Sequence, residues 1–206
     1  MRSEPRHEPP SDIVALVMAA GVSRRFGRDK RQVRLEDGRT LLETTLETIS
    51  QVYSRCCLVT RSDDPDDLAR QALPMFGELR RVAATHAADG LGGSLGDAFR
   101  HLLAQDDKAI AAAVVLGDMP WLRSTTCVRL NQHALPERIV MPRHRGRYGH
   151  PVLFGRDFWP ALAELKGGEG ARGVVQANKH ILDWIDVEDD GIWRDVDTPR
   201  DLPDSK

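Results

Sequence analysis

The sequence has few cysteines, few aromatic residues and no long apolar run. Its three cysteines, Cys56, Cys57 and Cys127, lack the Cys-x-x-Cys spacing of a zinc site or a redox motif. The odd number also argues against a disulfide framework, so we expect all three thiols to be buried as small apolar side chains. No stretch approaches the roughly 18 consecutive apolar residues of a transmembrane helix, so we expect no membrane partner.

The sequence also lacks an excess of either charge. Lys and Arg number 29 against 31 Asp and Glu, which gives a net charge of −2. This balance gives no support for nucleic acid as a partner, so any basic site must be local. Residues 1–11 are charged and proline-rich, which predicts a mobile tail rather than a hydrophobic signal region. We therefore expect a cytoplasmic protein in which residues 12–206 form a single domain.

The first apolar run, Ile13–Met18, leads into a turn of small and basic residues. Six apolar residues suit a strand covered on both faces, as in a parallel sheet. Gly21 lets the backbone approach a ligand, and Arg25 and Lys30 bring the positive charge that a polyphosphate requires. The turn has neither the Gly-Lys-Ser/Thr of a P-loop nor a Gly-x-Gly-x-x-Gly fingerprint. An anion-binding loop and an ordinary basic surface loop both remain open.

A second apolar run, Ala109–Leu116, is followed by Gly117, Asp118, Met119 and Pro120. Parallel strands present their carboxyl ends at one edge of the sheet, so Asp118 is expected near the basic turn. One carboxylate at this edge suits Mg²⁺, which takes one or two carboxylates together with substrate phosphates. The residues alone equally allow a turn-forming Asp.

A glycine-rich segment precedes the helical pattern that runs through Leu95, Phe99 and Leu102. It contains Gly90, Gly92, Gly93 and Ser94. Glycines before a helix predict close approach of the backbone to a ligand, and a flexible connection is the alternative.

Alternating strand and helix patterns predict a three-layer α/β/α Rossmann-like fold with a mainly parallel mixed sheet. Its crevice is expected at the carboxyl ends of the strands. The acidic stretch at residues 62–67 follows a strand and begins a helix, so we interpret its carboxylates as helix-capping and solvated groups. Five side chains that can carry a positive charge fall within residues 143–150. They predict a basic lip for a phosphorylated second substrate, or a solvated loop whose arginines pair with acids.

The segment AAGVSRRFGRDK resembles the signature AAG-x-S-x-R-(F/M)-G-x-x-K of the MobA-like NTP transferase family, which has a nucleotidyltransferase fold. The fixed positions are filled by Ala19, Ala20, Gly21, Ser23, Arg25, Phe26, Gly27 and Lys30. Two further segments, GDMP at 117–120 and DVDTPRDL at 195–202, are similar to the family's metal-binding and terminal motifs, and the three occur in the family's order.

The resemblance implies a role for each matched residue. It implies nucleotide binding by Ala19, Ala20, Gly21, Ser23, Arg25, Lys30, Gly90, Gly92 and Ser94. It implies catalytic roles for Lys30, Arg25 and Asp118, with Mg²⁺ held by Asp118 and Asp197 and with Asp195 structuring the loop. His150, in GHPVLF, and Arg172 would contact the acceptor, and Gly168 stands where the molybdenum cofactor cytidylyltransferases of this family commonly have Asp.

The implied function is transfer of CMP from CTP to the phosphate of molybdopterin, with release of pyrophosphate and eventual delivery to a molybdoenzyme. The AAG form of the motif is most similar to that of the CTP-using members. The alternatives are a guanylyltransferase, a nucleotidyltransferase for another phosphorylated small molecule, or a nucleotide-binding maturation chaperone for a molybdoenzyme. A Rossmann dehydrogenase is disfavoured because no Gly-x-Gly-x-x-Gly follows the first strand.

Overall fold

Residues 12–21 and 29–196 are described by a computed structural model, and they form one mixed sheet with helices packed on both faces. The strands are β1 Ile13–Met18, β2 Arg55–Arg61, β3 Glu78–Ala84, β4 Ala111–Leu116, β5 Ile139–His144, β6 Arg147–Tyr148, β7 Val152–Gly155 and β8 Leu182–Asp186. The α-helices are α1 Leu41–Ser50, α2 Asp67–Ala72, α3 Leu91–Ala104, α4 Ser124–Asn131, α5 Trp159–Ala163 and α6 Arg172–Ala177. The predicted tail, residues 1–11, lies outside the described residues.

The strands follow the order β3-β2-β1-β4-β7-β5-β6, and β8 pairs with β5. Strands β1 to β4 are mutually parallel, whereas β7 runs antiparallel to both β4 and β5. Strand β6 is antiparallel to β5, and β8 is parallel to it. The predicted Rossmann-like fold with a mainly parallel mixed sheet is therefore confirmed.

The core lies on both faces of the sheet because successive side chains of a strand point to opposite sides. Ala15 and Val17 of β1 pack in one cluster with Leu46 of α1. Leu16, between them, packs in a second cluster with Phe99 of α3. Every residue of β1 is buried, which explains why the strand is continuously apolar rather than alternating.

The carboxyl ends of β1 and β4 lie side by side, with Met18 paired to Leu116. The N–H of Gly117 donates to the carbonyl of Met18 across 2.9 Å, so the two chains stay together just beyond the strands. From β1 the chain passes to β2 on one side, and β4 later takes the other side. This reversal of strand order opens a crevice between the segments that follow β1 and β4.

Helix α3 begins at Leu91, so Gly92, Gly93 and Ser94 lie in its first turn and not in a connection before it. The N–H of Gly92 donates to the carbonyl of Gly167 across 2.8 Å. A Cβ at Gly92 would lie 2.5 Å from that same oxygen. Gly92 therefore lets the helix start pack directly on the backbone of a neighbouring loop, which argues against the flexible connection.

The predicted burial of the three cysteines is confirmed: Cys56 and Cys57 lie within β2 and Cys127 within α4. Burial raises the pKa of Cys57 and of Cys127 to about 12. Within the described ranges, no helix combines the length and the apolar character that crossing a bilayer requires.

Because the thiolate is the reactive form, these thiols should resist alkylation in the native protein. A thiol with a pKa of about 12 has only about one thiolate in 10⁴ molecules at pH 8. We expect negligible labelling by a maleimide at pH 8 in buffer and labelling of all three cysteines in denaturant, counted by intact mass. Rapid native labelling at Cys57 would contradict the burial of β2.

Substitution Gly92→Ala should destabilise the protein by about 1–3 kcal/mol, because the new methyl group meets the carbonyl of Gly167. The matched control is Gly173→Ala in α6, where a Cβ meets open space and a helix former replaces glycine. Urea unfolding should therefore separate the two variants. Equal midpoints would show that the start of α3 is not closely packed.

Candidate functional site

A cavity of about 770 Å³ opens at the carboxyl ends of β1 and β4. The predicted site residues that line it are Ala19, Ala20, Gly21, Lys30, Gly90, Ser94, Asp118 and Arg172. Asp195, predicted to structure its loop, lines the same cavity. Segments far apart in sequence thus meet at one place, the crevice that the strand order creates. We call this space the first cavity.

Three contacts fix the turn that carries Asp118. The N–H of Met119 donates to Oγ1 of the buried Thr45 on α1, across 3.1 Å. The carbonyl of Asp118 accepts from the N–H of Val196 across 3.2 Å. Together with the hydrogen bond from Gly117 to Met18, these contacts attach the turn to the sheet, to a helix and to the C-terminal segment.

Lys30 and Asp118 form an ion pair in the first cavity. The ammonium of Lys30 contacts Oδ2 of Asp118 and donates to the carbonyl of Val196 across 3.3 Å. The two side chains are 18% and 10% exposed, so little water screens the pair. A cation and a carboxylate therefore face a space large enough for a nucleotide.

The donor set of the first cavity fits a hard divalent cation. Asp118 and Asp195 both line it, and carboxylate oxygens are ligands that Mg²⁺ and Mn²⁺ prefer. Among the described residues, no group of three or more His, Cys, Asp or Glu side chains is gathered for a metal. A cation here would thus be held by a small number of carboxylates together with substrate oxygens.

Some predicted residues are not in the described cavity wall. Ser23, Arg25 and Asp197 lie outside the described residues. Gly92 is described, but it does not line the first cavity, and its N–H is bonded to Gly167. The structural role of Gly92 is therefore to let α3 pack closely against the loop at Gly167, and α3 places Ser94 in the cavity wall.

A second cavity, of about 570 Å³, adjoins the first. Both are lined by Leu91, Leu116, Arg172 and Asp195. The apolar part of its wall includes Leu95, Met119, Met141, Val152, Phe154 and Ile192. Of the predicted acceptor residues, Arg172 lies between the two cavities, and His150 lines the second alone.

The imidazole of His150 presents its Nε2 as a hydrogen-bond acceptor. Its Nδ1 lies 3.2 Å from the carbonyl of Val114, an acceptor, so we assign the proton to Nδ1. Burial lowers the pKa of His150 below its ordinary 6.5, against the opposing effects of Asp118 and Asp195. His150 is therefore neutral at pH 7, with the lone pair on Nε2.

The predicted basic lip is largely engaged in internal contacts. Nε of Arg143 pairs with Asp186 at 2.7 Å, which agrees with the alternative of arginines paired to acids. The guanidinium of Arg147 lies 3.6 Å above the ring of Trp193. Trp193 and Tyr148 line the second cavity, although neither belongs to a periodic pattern or a motif in the sequence.

Comparisons with known proteins identify the family of this chain and several similar proteins. A family model described as the MobA-like NTP transferase domain matches residues 15–181. The nicotine blue oxidoreductase of Paenarthrobacter nicotinovorans is 29% identical over 204 residues, covering 92% of this chain and 94% of that protein. The molybdenum cofactor cytidylyltransferase of Escherichia coli K12 is 25% identical over 198 residues, covering 93% and 94%.

The fold is also similar to that of Rv0371c from Mycobacterium tuberculosis H37Rv, with a TM-score of 0.73 and 28% identity over 92% of this chain and 95% of that one. A structure of Rv0371c in complex with manganese aligns with a TM-score of 0.70 and 25% identity over the same shares. Because the family model spans most of the chain, from β1 to the start of β8, the chain belongs to the family of MobA-like NTP transferase domains.

Proposed function

We propose that the chain transfers CMP from CTP to the phosphate of a molybdopterin-type acceptor and releases pyrophosphate. The acceptor oxygen forms a bond to the α-phosphorus of CTP, and the bond between that phosphorus and the bridging oxygen to the β-phosphate breaks. The acceptor oxygen is already anionic, so the reaction depends on positioning and charge neutralisation.

The observation that carries this proposal is the Lys30–Asp118 pair in the first cavity, which adjoins the second and shares wall residues with it. A nucleotidyltransferase must bind two anionic substrates with their reacting atoms together. Here the first cavity would take the nucleotide and the second the acceptor, with Arg172 and Asp195 between them. Lys30 would neutralise charge on the departing pyrophosphate, and Arg25 would assist from the loop after β1.

Mg²⁺ is the proposed cofactor, held by Asp118 and by Asp197. When bound, such an ion polarises phosphate oxygens and neutralises charge that develops during transfer. The carboxylate of Asp118 points into the first cavity beside Lys30, and the manganese complex of the similar Rv0371c favours a divalent cation in this fold. Asp195 is a further carboxylate donor at the cavity wall.

CTP is proposed as the nucleotide on the resemblance of Ala19-Ala20-Gly21 and of GLGGSL to the CTP-using members. Gly90 and Ser94 line the first cavity with these residues and would lie against the base. GTP with the same acceptor, or another phosphorylated acceptor, requires the same ion pair and the same two cavities. A maturation chaperone would need to bind nucleotide and product but would not need Lys30 and Asp118 together.

The second cavity supports an acceptor with a planar ring system that can pack against apolar and aromatic side chains. Its wall combines methionine and aliphatic side chains with the aromatic Tyr148 and Trp193. His150 offers Nε2 to a donor group of the acceptor, and Arg172 offers positive charge to the acceptor phosphate.

An oxidoreductase is the second candidate, favoured by the 29% identity to nicotine blue oxidoreductase. The described end of β1, Ala19-Ala20-Gly21, carries no dinucleotide fingerprint, which argues against it. Loss of NADH absorbance with a quinoid dye, in the absence of any nucleoside triphosphate, would support this candidate over nucleotidyl transfer.

Substitution Asp118→Asn should lower pyrophosphate release from CTP and molybdopterin by about 10²-fold or more, because it removes one charge of the central pair. The matched control is Asp107→Asn. Asp107 is equally buried but pairs with Arg55 at the other end of the sheet, so its variant should retain turnover. EDTA should abolish release, and Mg²⁺ or Mn²⁺ should restore it.

The nucleotide used in this assay tests the base assignment. Selective pyrophosphate release from GTP would support the same reaction but overturn the assignment of CTP as the nucleotide. Nucleotide binding without release from CTP, GTP, ATP or UTP would favour another acceptor or a binding role, and equal turnover of Asp118→Asn and wild type would contradict the assigned site.

Substitution His150→Asn should raise the KM for the acceptor and leave the Kd for CTP unchanged. Asn keeps a donor for the carbonyl of Val114 but lacks a group at the position of Nε2. The control is His144→Asn, since Nδ1 of the buried His144 makes the same type of contact, 2.8 Å from the carbonyl of Val187, outside both cavities. An unchanged acceptor KM in His150→Asn would remove this residue from the acceptor site.

A further inference from the structure

Four charged side chains form a cluster beside the first cavity, centred on Arg31. Arg31 binds both oxygens of Asp64, at 2.5 and 2.8 Å, and both oxygens of Asp29, at 2.8 and 2.6 Å. Arg61 in turn binds Asp64 at 2.8 Å. We call these four residues the Arg31 cluster. It joins the turn after Lys30 to the segment between β2 and α2.

The Arg31 cluster also holds the end of β1. Nη1 of Arg31 donates to the carbonyl of Ala19 across 3.0 Å. The guanidinium thus contacts Ala19, just after β1, while the backbone of Arg31 directly follows Lys30. One side chain therefore connects two parts of the first cavity wall, one before residue 22 and one after residue 28.

All five N–H donors of Arg31 are engaged in these contacts. Nε is bonded to Asp29, Nη1 to Ala19 and Asp64, and Nη2 to Asp29 and Asp64. A guanidinium has five such donors, so none remains for a phosphate oxygen. Arg31 lines the first cavity, but with its donors engaged it acts on a substrate through the residues it holds and not by donating hydrogen bonds to it.

Asp64 is the counterpart that fixes this guanidinium. The side chains of Arg31 and Asp64 are 5% and 3% exposed. Burial opposes ionisation, but hydrogen bonds from Arg31 and Arg61 outweigh it and hold the pKa of Asp64 at about 2. The pair stays charged at neutral pH. Buried ion pairs add little net stability compared with apolar residues, and their best-attested benefit is a defined geometry.

We propose that Asp64 is a positioning residue for nucleotidyl transfer: through Arg31 it sets the position of Lys30 and Ala19 in the first cavity. This proposal rests on the proposed function of the cavity. Asp64 itself lies outside both cavity walls, whereas Arg31, which it binds, lines the first cavity and connects Asp64 to it.

The test compares Asp64→Asn with Asp107→Asn. Asp107 also pairs with an arginine, Arg55, and its side chain is only 2% exposed, but it lies at the amino end of β4. We expect Asp64→Asn to lower kcat by about 10- to 100-fold with a smaller change in KM, because misplacement of a reacting group acts on turnover. Asp107→Asn should lower the Tm by a similar amount to Asp64→Asn but keep the kcat of the wild type.

A double variant tests whether Asp64 acts through Arg31. The kcat of Arg31→Gln combined with Asp64→Asn should be no lower than that of Arg31→Gln alone, because both changes break one interaction. Adding Asp107→Asn to Arg31→Gln should also leave kcat unchanged but lower the Tm further. Independent, multiplicative losses of kcat for Arg31 and Asp64 would overturn the proposal.

A measurement without substrate separates this proposal from the proposed function. Lys30 is held against Asp118, so its acylation by a small ester, followed by peptide mass spectrometry, should be slow in wild type. We expect several-fold faster acylation of Lys30 in Asp64→Asn and an unchanged rate in Asp107→Asn. Equal acylation rates in the two variants would overturn the proposal. If the rates differ but the wild-type protein transfers no nucleotide, only the proposed function is overturned.

Discussion

Strands β1 and β4 lie in parallel register, with Ile13 beside Ala111 and Met18 beside Leu116. Because both are buried on two faces, a shift by one residue would turn each apolar side chain toward the opposite helical layer. The register therefore fixes the positions of Ala19 and Asp118 relative to each other, just beyond the carboxyl ends of β1 and β4. The Lys30–Asp118 pair, the bond from Val196 and both cavities are built on that single alignment.

The charges of the site are kept in place by contacts with other charges. Lys30 pairs with Asp118 within the cavity, while Arg31, the next residue, lines the same cavity and pairs with Asp64 and Asp29. The two adjacent basic residues thus pair with different carboxylates, Lys30 with one in the cavity wall and Arg31 with two that lie outside it. In a chain of net charge −2, both cations at this point of the cavity are therefore held by carboxylates.

Much of the fold could be predicted because its signals are local. The apolar runs of β1 and β4 and the motif glycines lie within short segments, and most of the predicted site residues within the described ranges meet at the first cavity. The Arg31–Asp64 pair could not be predicted, because it joins residues 33 positions apart and depends on the packing of β2 beside β1. The pattern at residues 62–67 predicts helix-capping and solvated carboxylates; Asp63, Asp66 and Asp67 are exposed, in agreement with solvated groups, but Asp66 makes no side-chain cap for α2 and Asp64 is buried in the Arg31 cluster.

The antiparallel strand β7, placed between β4 and β5, divides the sheet into an earlier and a later part of the chain. Apart from Arg172 and Asp195, every described residue of the first cavity wall lies between Met18 and Asp118. The second cavity takes most of its wall from β5 onward. Under the proposed assignment of the two cavities, substitutions in the later part would alter which acceptor fits while the wall of the first cavity keeps its side chains. Acceptor preference would then evolve separately from nucleotide binding, with one half of the sheet retained while the other half diverges.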